Sequence, residues 1–348
     1  LTLYGLLRHL LFAAALSLLS ALLVWGMIRF RVVLDHPDPR KAHLRPIPKG
    51  GGVGIVSAFL AGVAILYRFA EFSRIADPYF RGVILAATAI AAVAFLDDLF
   101  DWPFIIKLAA QLFAAVLAVG SGLFVREFHL PVFGTVDFGW LGSLATLFWI
   151  LFATNAMNFI DGLDGLAGGV AMIAAAFLAG IAASQGGWFV YFASLLLVAG
   201  LAGFLPFNFP RARIFMGDVG SQFCGFVLAV LGVAASRFEK VEMSFTLVPM
   251  LLFGVLFDVA FTLARRLVAG KPLTVPHREH LYQLAHRAGM DARAITLVYW
   301  AFTVMNGVCA IGFIRLEGRA KLILLALPLI PQMFWLAYVL TRARKAGL

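Results

Sequence analysis

Apolar stretches of about 17–25 residues recur from one end of this chain to the other, each long enough to cross a ~30 Å hydrocarbon core. They are continuous rather than alternating, which selects helices over barrel strands. We read about eleven spans, near 5–28, 51–67, 82–97, 105–125, 139–157, 166–184, 188–206, 219–236, 244–264, 294–314 and 321–341. The chain is 62% hydrophobic and only 13% charged, whereas a soluble domain usually carries roughly a quarter charged residues. The expected fold is therefore all-α: a polytopic helical membrane protein. No repeat, Pro/Ser-rich linker or low-complexity tract divides it, so residues 1–348 read as a single domain. The first run, from Leu6 to Met27, is too long for an ordinary signal-peptide core, and Arg29 and Arg31 follow it, which predicts a retained anchor.

The net charge of +10 would hint at nucleic acid in a soluble protein. Here it fits loops obeying the positive-inside rule, and no nucleic-acid partner is expected. Eighteen of the 28 Lys and Arg follow odd-numbered spans, which predicts that these connections and the C-terminal tail are cytoplasmic. Cys224 and Cys309 lie apart in apolar runs, without the spacing of a metal or redox pair.

Five unusual polar segments follow five odd spans: DHPDPRKAHLRPIPKGGG, DDLFD, NFIDGLDG, NFPRARIFMGDVGS and VPHREHLYQLAHRAG. The even connections are ordinary. One polar site on one face is the economical reading. Charge facing lipid is costly, so these acids are expected to face protein, water, metal or substrate.

Asp97 and Asp98 are adjacent at a span end, and such carboxylates repel unless a cation or base lies close. Lys107 is a candidate for that compensation or for a phosphate contact, and a solvated helix end is the bland alternative. In NAMNFIDGLDG, a helix would place Asn155, Asn158, Asp161 and Asp164 in one row of oxygen groups. Such oxygens suit Mg²⁺, while buried asparagines at a glycine-rich helix contact are the structural alternative. The glycines from Gly162 to Gly169 allow tight turning, and a helix starting there would offer N–H groups to a phosphate. Asp218 lies between two glycines, with Asn208 upstream and Ser221 suited to capping the next helix. Phe215 reads equally as a base-stacking ring or a lipid contact. The glycines after Lys49 suit a segment touching phosphate through backbone and side chain, although juxtamembrane charge also anchors proteins to anionic lipid. His277, Arg278 and His280 fit donors to phosphate better than a zinc site. His286 reads as a bystander. Asp258, inside the ninth span, pairs with Arg265 or Arg266, supports the site, or marks the competing class, a secondary transporter using intramembrane carboxylates.

In this order, PxPKGGG, DDxxD, NxxNxxDGxDGL, NxxPxxxxFMGDxGS and a histidine-bearing loop resemble the polyprenyl-phosphate N-acetylhexosamine-1-phosphate transferases (glycosyltransferase family 4) over nearly the whole chain. The resemblance implies transfer of an N-acetylated hexosamine 1-phosphate from a UDP-sugar to a polyprenyl (undecaprenyl) phosphate, with release of UMP. It implies a bacterial inner-membrane enzyme, cytoplasmic site loops, and Mg²⁺ or Mn²⁺ in its place. It leaves a homodimer open. Transferred residue by residue, Asp218 and Asn158 match the metal site, and Asp97, Asp98, Asp161 and Asp164 match the catalytic and nucleotide-site acids. Lys49, Lys107, Asn155, Asn208, Phe215, His277, Arg278 and His280 fall in substrate-binding regions. Many relatives carry HxHH where this chain reads His280-Leu281-Tyr282-Gln283. That spelling resembles the branch that initiates O-antigen with 6-deoxy-N-acetylhexosamines.

Overall fold

The computed structural model describes residues 2–35, 46–69, 78–100, 102–130, 134–237, 243–275 and 277–348. Of the first polar loop, His36, Arg40, Lys41, His43 and Arg45 lie outside the described residues.

Helices dominate: α1 (Leu3–Phe30), α2 (Gly52–Phe69), α3 (Pro78–Phe100), α4 (Phe104–Gly120), α5 (Leu141–Phe159), α6 (Leu166–Gln185), α7 (Trp188–Asn208), α8 (Gly217–Arg237), α9 (Leu247–Leu251), α10 (Phe253–Val268), α11 (Leu281–Arg287), α12 (Ala292–Arg315), α13 (Arg319–Ala326) and α14 (Leu329–Lys345). Strand content is limited, among the described residues, to two antiparallel ribbons. β1 (Leu34–Asp35) pairs with β2 (Ile47–Pro48), and β3 (Glu127–Leu130) pairs with β4 (Gly134–Asp137).

Nine described helical segments are long and apolar enough to span a membrane, which establishes a polytopic helical membrane protein. The difference from eleven has two sources. α4 is apolar but has only 17 residues. The expected 244–264 span is broken at Leu252, whose φ of −90° and ψ of 6° interrupt the helix between α9 and α10. The last span is also interrupted, where Pro328 lacks an N–H and its ring obstructs the preceding turn.

α8 is the hub. Its apolar window is 94% buried, against 17% for α1, so α1 faces lipid while α8 is sheathed by protein on every side. It packs on α2, α3 and α5, and one apolar cluster runs from Leu16 through to Val339. With lipid outside as apolar as the core, close packing and polar contacts hold such helices together. Glycines permit the approach: a Cβ on Gly203 would lie 2.2 Å from Ser17 O, and one on Gly54 2.7 Å from Ser20 O.

Candidate active site

The starts of α2, α4 and α8 meet the ends of α3, α5 and α7 at one end of the bundle. Backbone pairing sets the register there. Phe215 N–H donates to Pro48 O (2.8 Å), Gly51 N–H to Phe215 O (2.9 Å) and Gly52 N–H to Met216 O (2.9 Å). The strip before α2 is thereby zipped to the strip before α8. The Gly51 and Gly52 N–H groups, expected to meet phosphate, are thus committed to carbonyls. The physical need for Gly52 is steric, because a Cβ there would meet the Gly220 backbone.

Charge concentrates at this junction. Lys107 Nζ lies 2.6 Å from Asp97 Oδ2 and 3.1 Å from Asp218 Oδ2, and Lys49 Nζ lies 3.2 Å from Asp98 Oδ1. Asp98 also accepts from the N–H groups of Asp218 and Val219, both at 3.3 Å. A carboxylate from α3 therefore caps α8, where the helix dipole favours negative charge. Ser221, read as the cap, instead donates to Gly217 O and accepts from Asn158 Nδ2.

Asn158 Nδ2 also donates to Asp218 Oδ1 (3.0 Å). Asn155 takes a longer route: it donates to Gln111 Oε1 (2.6 Å), Gln111 to Gln222 Oε1 (3.0 Å), and Gln222 to Asp218 Oδ2 (3.2 Å). Gln111 and Gln222 were missed by the sequence reading. Their signal was position: each lies one helical turn beyond a charged site residue, Lys107 or Asp218, on the same face.

The expected row of four polar residues does not persist, because α5 ends at Phe159 and Asp161 and Asp164 lie in the loop. Asp164 Oδ2 accepts from Ala212 N–H (2.9 Å). Asn208 accepts from Gly165 N–H (2.8 Å) and donates to Ile214 O (2.9 Å). These contacts tie the α5–α6 loop to the α7–α8 loop. Of the N–H groups at this helix start, that of Gly165 is paired with Asn208, and the left-handed φ of +75° at this residue explains the glycine. Asn208→Ala would leave both backbone groups without their partner, and is expected to destabilise the protein by about 1–3 kcal/mol. A lower thermal midpoint in detergent is the measurement; an unchanged one refutes the clamp.

Beside this network lies a cavity of about 820 Å³ lined by Lys49, Asp98, Asp161, Asp164, Asn208 and Phe215, together with Asp218. Asp97, Lys107, Asn155 and Asn158 stand behind that lining and reach it through Asp218. The far wall of the cavity carries Arg278, Tyr282, Gln283 and Arg287. His286, set aside from sequence, also lines it. His280 does not: it is buried at 3% exposure, with Nδ1 3.4 Å from Asp258 Oδ1. His277 stacks near His280, ring centres 5.0 Å apart, outside the cavity lining. Burial first, then the neighbouring His280 and Arg266, push its pKa down to about 4, so at neutral pH it is an uncharged imidazole rather than a cationic phosphate ligand.

Asp161 is half-buried, and no hydrogen bond or ion pair among the described residues reaches its carboxylate. Burial, and then repulsion from Asp218, Asp98 and Asp164, push its pKa up to about 8. Three carboxylates (Asp97, Asp98 and Asp218) thus share two ammonium groups (Lys49 and Lys107), with the largely protonated Asp161 beside them. That surplus of negative oxygen suits a hard divalent cation. Among the described residues no three His, Cys, Asp or Glu groups form a closed metal cage. Carboxylate oxygens of this kind are the donors Mg²⁺ takes, since it keeps waters and needs only one or two carboxylates beside phosphate oxygens.

Residues 80–236 match the model of glycosyl transferase family 4. The chain is 30% identical to a probable undecaprenyl-phosphate N-acetylglucosaminyl 1-phosphate transferase of Bacillus subtilis, over 86% of this chain and 83% of the relative. It is 28% identical to a decaprenyl-phosphate N-acetylglucosaminephosphotransferase of Mycobacterium tuberculosis, covering 80% and 74% of the two chains. An undecaprenyl-phosphate alpha-N-acetylglucosaminyl 1-phosphate transferase of Salmonella typhi is 26% identical over 79% and 75%. Because the similarity to the Bacillus protein runs through most of both chains, this protein belongs to glycosyl transferase family 4, among the polyprenyl-phosphate N-acetylhexosamine-1-phosphate transferases.

Proposed function

We propose that this protein transfers an N-acetylated hexosamine 1-phosphate from a UDP-sugar to a polyprenyl phosphate at the cytoplasmic face of a bacterial inner membrane, releasing UMP. The observation that carries the reading is the convergence of Asp98, Asp161 and Asp218 with Lys49 on one cavity, with Lys107 and Asp97 joined to it behind Asp218 by ion pairs. Cationic charge along the odd connections supports the cytoplasmic orientation. The spelling of residues 280–283 favours a 6-deoxy-N-acetylhexosamine and O-antigen initiation.

Mg²⁺, held by Asp218 with Asn158 beside it, would neutralise the diphosphate and the charge that develops as the bond to UMP breaks. Lys107 holds Asp218 and Asp97 apart as charges while joining them in space. Lys49 does the same for Asp98. Lys49, which lines the cavity, would meet a phosphate oxygen as a point charge, and Lys107 would act on it through Asp218. Asp161, whose raised pKa leaves it mostly protonated at neutral pH, borders the space for the nucleotide. Phe215 supplies a ring for the base, and Arg278 and Arg287 supply guanidinium groups at the rim. The acceptor phosphate is already anionic near pH 7, so Asp97 and Asp98 need only orient it for in-line attack and accept any residual proton.

The test is a panel of UDP-sugars with undecaprenyl phosphate, read by UMP release and lipid mass. UMP and lipid-linked sugar phosphate are expected in equal amounts with at least one N-acetylated hexosamine, 6-deoxy forms ahead of N-acetylglucosamine. Ion flux without UMP release from any donor would overturn the reading.

A further inference from the structure

Asp258 lies in the middle of α10, at 1% exposure, away from the acids of the cavity. Arginine does not compensate it. Arg265 and Arg266 turn to Glu279 instead: Arg265 donates to the Glu279 carbonyl (2.8 Å), and Arg266 Nη1 lies 3.1 Å from Glu279 Oε1. Lys271 joins the same carboxylate at 2.9 Å.

What Asp258 holds is backbone. Its Oδ1 accepts from Leu281 N–H (2.8 Å) and Thr262 Oγ1 (3.2 Å). Its Oδ2 accepts from Tyr282 N–H (3.2 Å) and from the Tyr299 hydroxyl. His280 Nδ1 approaches Oδ1 at 3.4 Å. One side chain thus joins α10, α11 and α12. The segment it holds carries Arg278, Tyr282, Gln283, His286 and Arg287 into the cavity wall. Tyr282 in turn donates to Phe159 O (2.9 Å), the last residue of α5, next to the loop bearing Asp161.

A buried carboxylate is expensive unless its oxygens are filled, and a well-packed apolar residue would often stabilise a helix bundle better. The Glu279 cluster is a different tether. Its Lys271 pair is open to water and contributes about 0–1 kcal/mol. Its buried Arg266 pair holds the Glu279 side chain, whereas Asp258 takes the backbone N–H groups of Leu281 and Tyr282. The buried anchor sets the height of the wall. We infer that Asp258 is a positioning residue for the sugar-nucleotide donor: it fixes the 278–287 wall against the Asp161 loop so that the cavity closes around the donor. The inference rests on the proposed transferase reading.

An amide of the same shape discriminates. Asn at 258 keeps one oxygen, so it can satisfy Leu281 N–H or Tyr282 N–H but not both. The hydroxyls of Thr262 and Tyr299 can turn to accept, while a backbone N–H cannot. Steady-state kinetics with UDP-N-acetylglucosamine and undecaprenyl phosphate should show the donor KM of Asp258→Asn raised about tenfold, the loss of one hydrogen bond to a charged group. The acceptor KM and kcat should stay within about twofold. A merely structural role predicts fewer competent molecules: a lower apparent kcat with donor KM unchanged, which would overturn the inference. Calorimetry with UDP forms a second arm that needs no turnover. Affinity about tenfold weaker in Asp258→Asn supports the role, and equal affinity sinks it. If wild-type protein binds UDP but converts no donor, the transferase reading fails while this arm still decides. Should Asp258→Asn not fold, Tyr299→Phe takes its place in both arms. A shift of about threefold in the same direction supports the inference, and none overturns it.

Discussion

Asp218→Asn is expected to lower the rate of UMP release by a factor on the order of 10³ while leaving a folded, monodisperse protein in detergent. The substitution keeps shape and removes one full charge. Asp218 is the point where four elements meet: Lys107 from α4, Asn158 from α5, Gln222 from its own helix, and the Asp98 carboxylate on its backbone N–H. The asparagine amide can satisfy Asn158 or the Lys107–Gln222 pair through its single oxygen, and places an NH₂ against the other. Packing in α8 is little changed, because the side chain points into the cavity rather than among the apolar residues of the hub. The loss therefore falls on the site's charge. Lys107 keeps Asp97 alone, and the oxygen cluster loses the member best placed to hold a cation against a diphosphate. UMP release per folded molecule, alongside a thermal melt, checks the expectation. Turnover at the wild-type rate would remove Asp218 from the reaction.

The acids of the site were legible because charge is conspicuous in an apolar chain. Asp97, Asp98 and Asp218 stand at span ends, where lipid exposure would be costly, and their convergence follows from five polar segments sharing one side. What was hidden has physical reasons. Gln111 and Gln222 are neutral amides inside apolar runs, where a single glutamine reads as a tolerated polar residue; only the three-dimensional meeting of α4 and α8 reveals the relay to Asp218. The row from Asn155 to Asp164 assumed a helix that continues, but Gly162 and Gly165 help the chain turn after Phe159. His280 shares a short motif with Arg278, yet Arg278 lines the cavity while His280 is buried against Asp258 on another helix. The two interrupted spans differ in the same respect. Pro328 sits at its break, whereas Leu252 is itself an ordinary helix former and only its neighbours Pro249 and Gly254 hint at the interruption.

Glycine is the other half of the site, and Gly52→Ala is expected to reduce kcat/KM by about 10²-fold without contacting substrate. A methyl at Gly52 would lie 2.3 Å from Gly220 N and 2.4 Å from Gly220 Cα. Backbone cannot rotate aside as a side chain can, so α2 and α8 must part by roughly an ångström to reach ordinary contact. Two functional groups ride on those backbones: Lys49 three residues before Gly52, and Asp218 two before Gly220. The Gly52 N–H bond to Met216 O and the Lys49–Asp98 pair are strained by the same movement. Displacement of this size at charged groups degrades alignment for phosphoryl transfer far more than it degrades a bundle held elsewhere by α5, α6 and α7. Gly62→Ala provides the contrast on the same helix. Its methyl would meet the ends of two buried leucines, Leu196 at 2.4 Å and Leu16 at 2.8 Å, side chains rather than backbone. The contact lies about three helical turns from Gly52, so stability is expected to fall while activity per folded molecule stays within a few-fold of wild type. Matched kinetics and melts for the two variants separate the cases. If Gly52→Ala retains wild-type kcat/KM, or Gly62→Ala loses as much as Gly52→Ala, then the close approach of α2 to α8 does not set the geometry of the charged cluster.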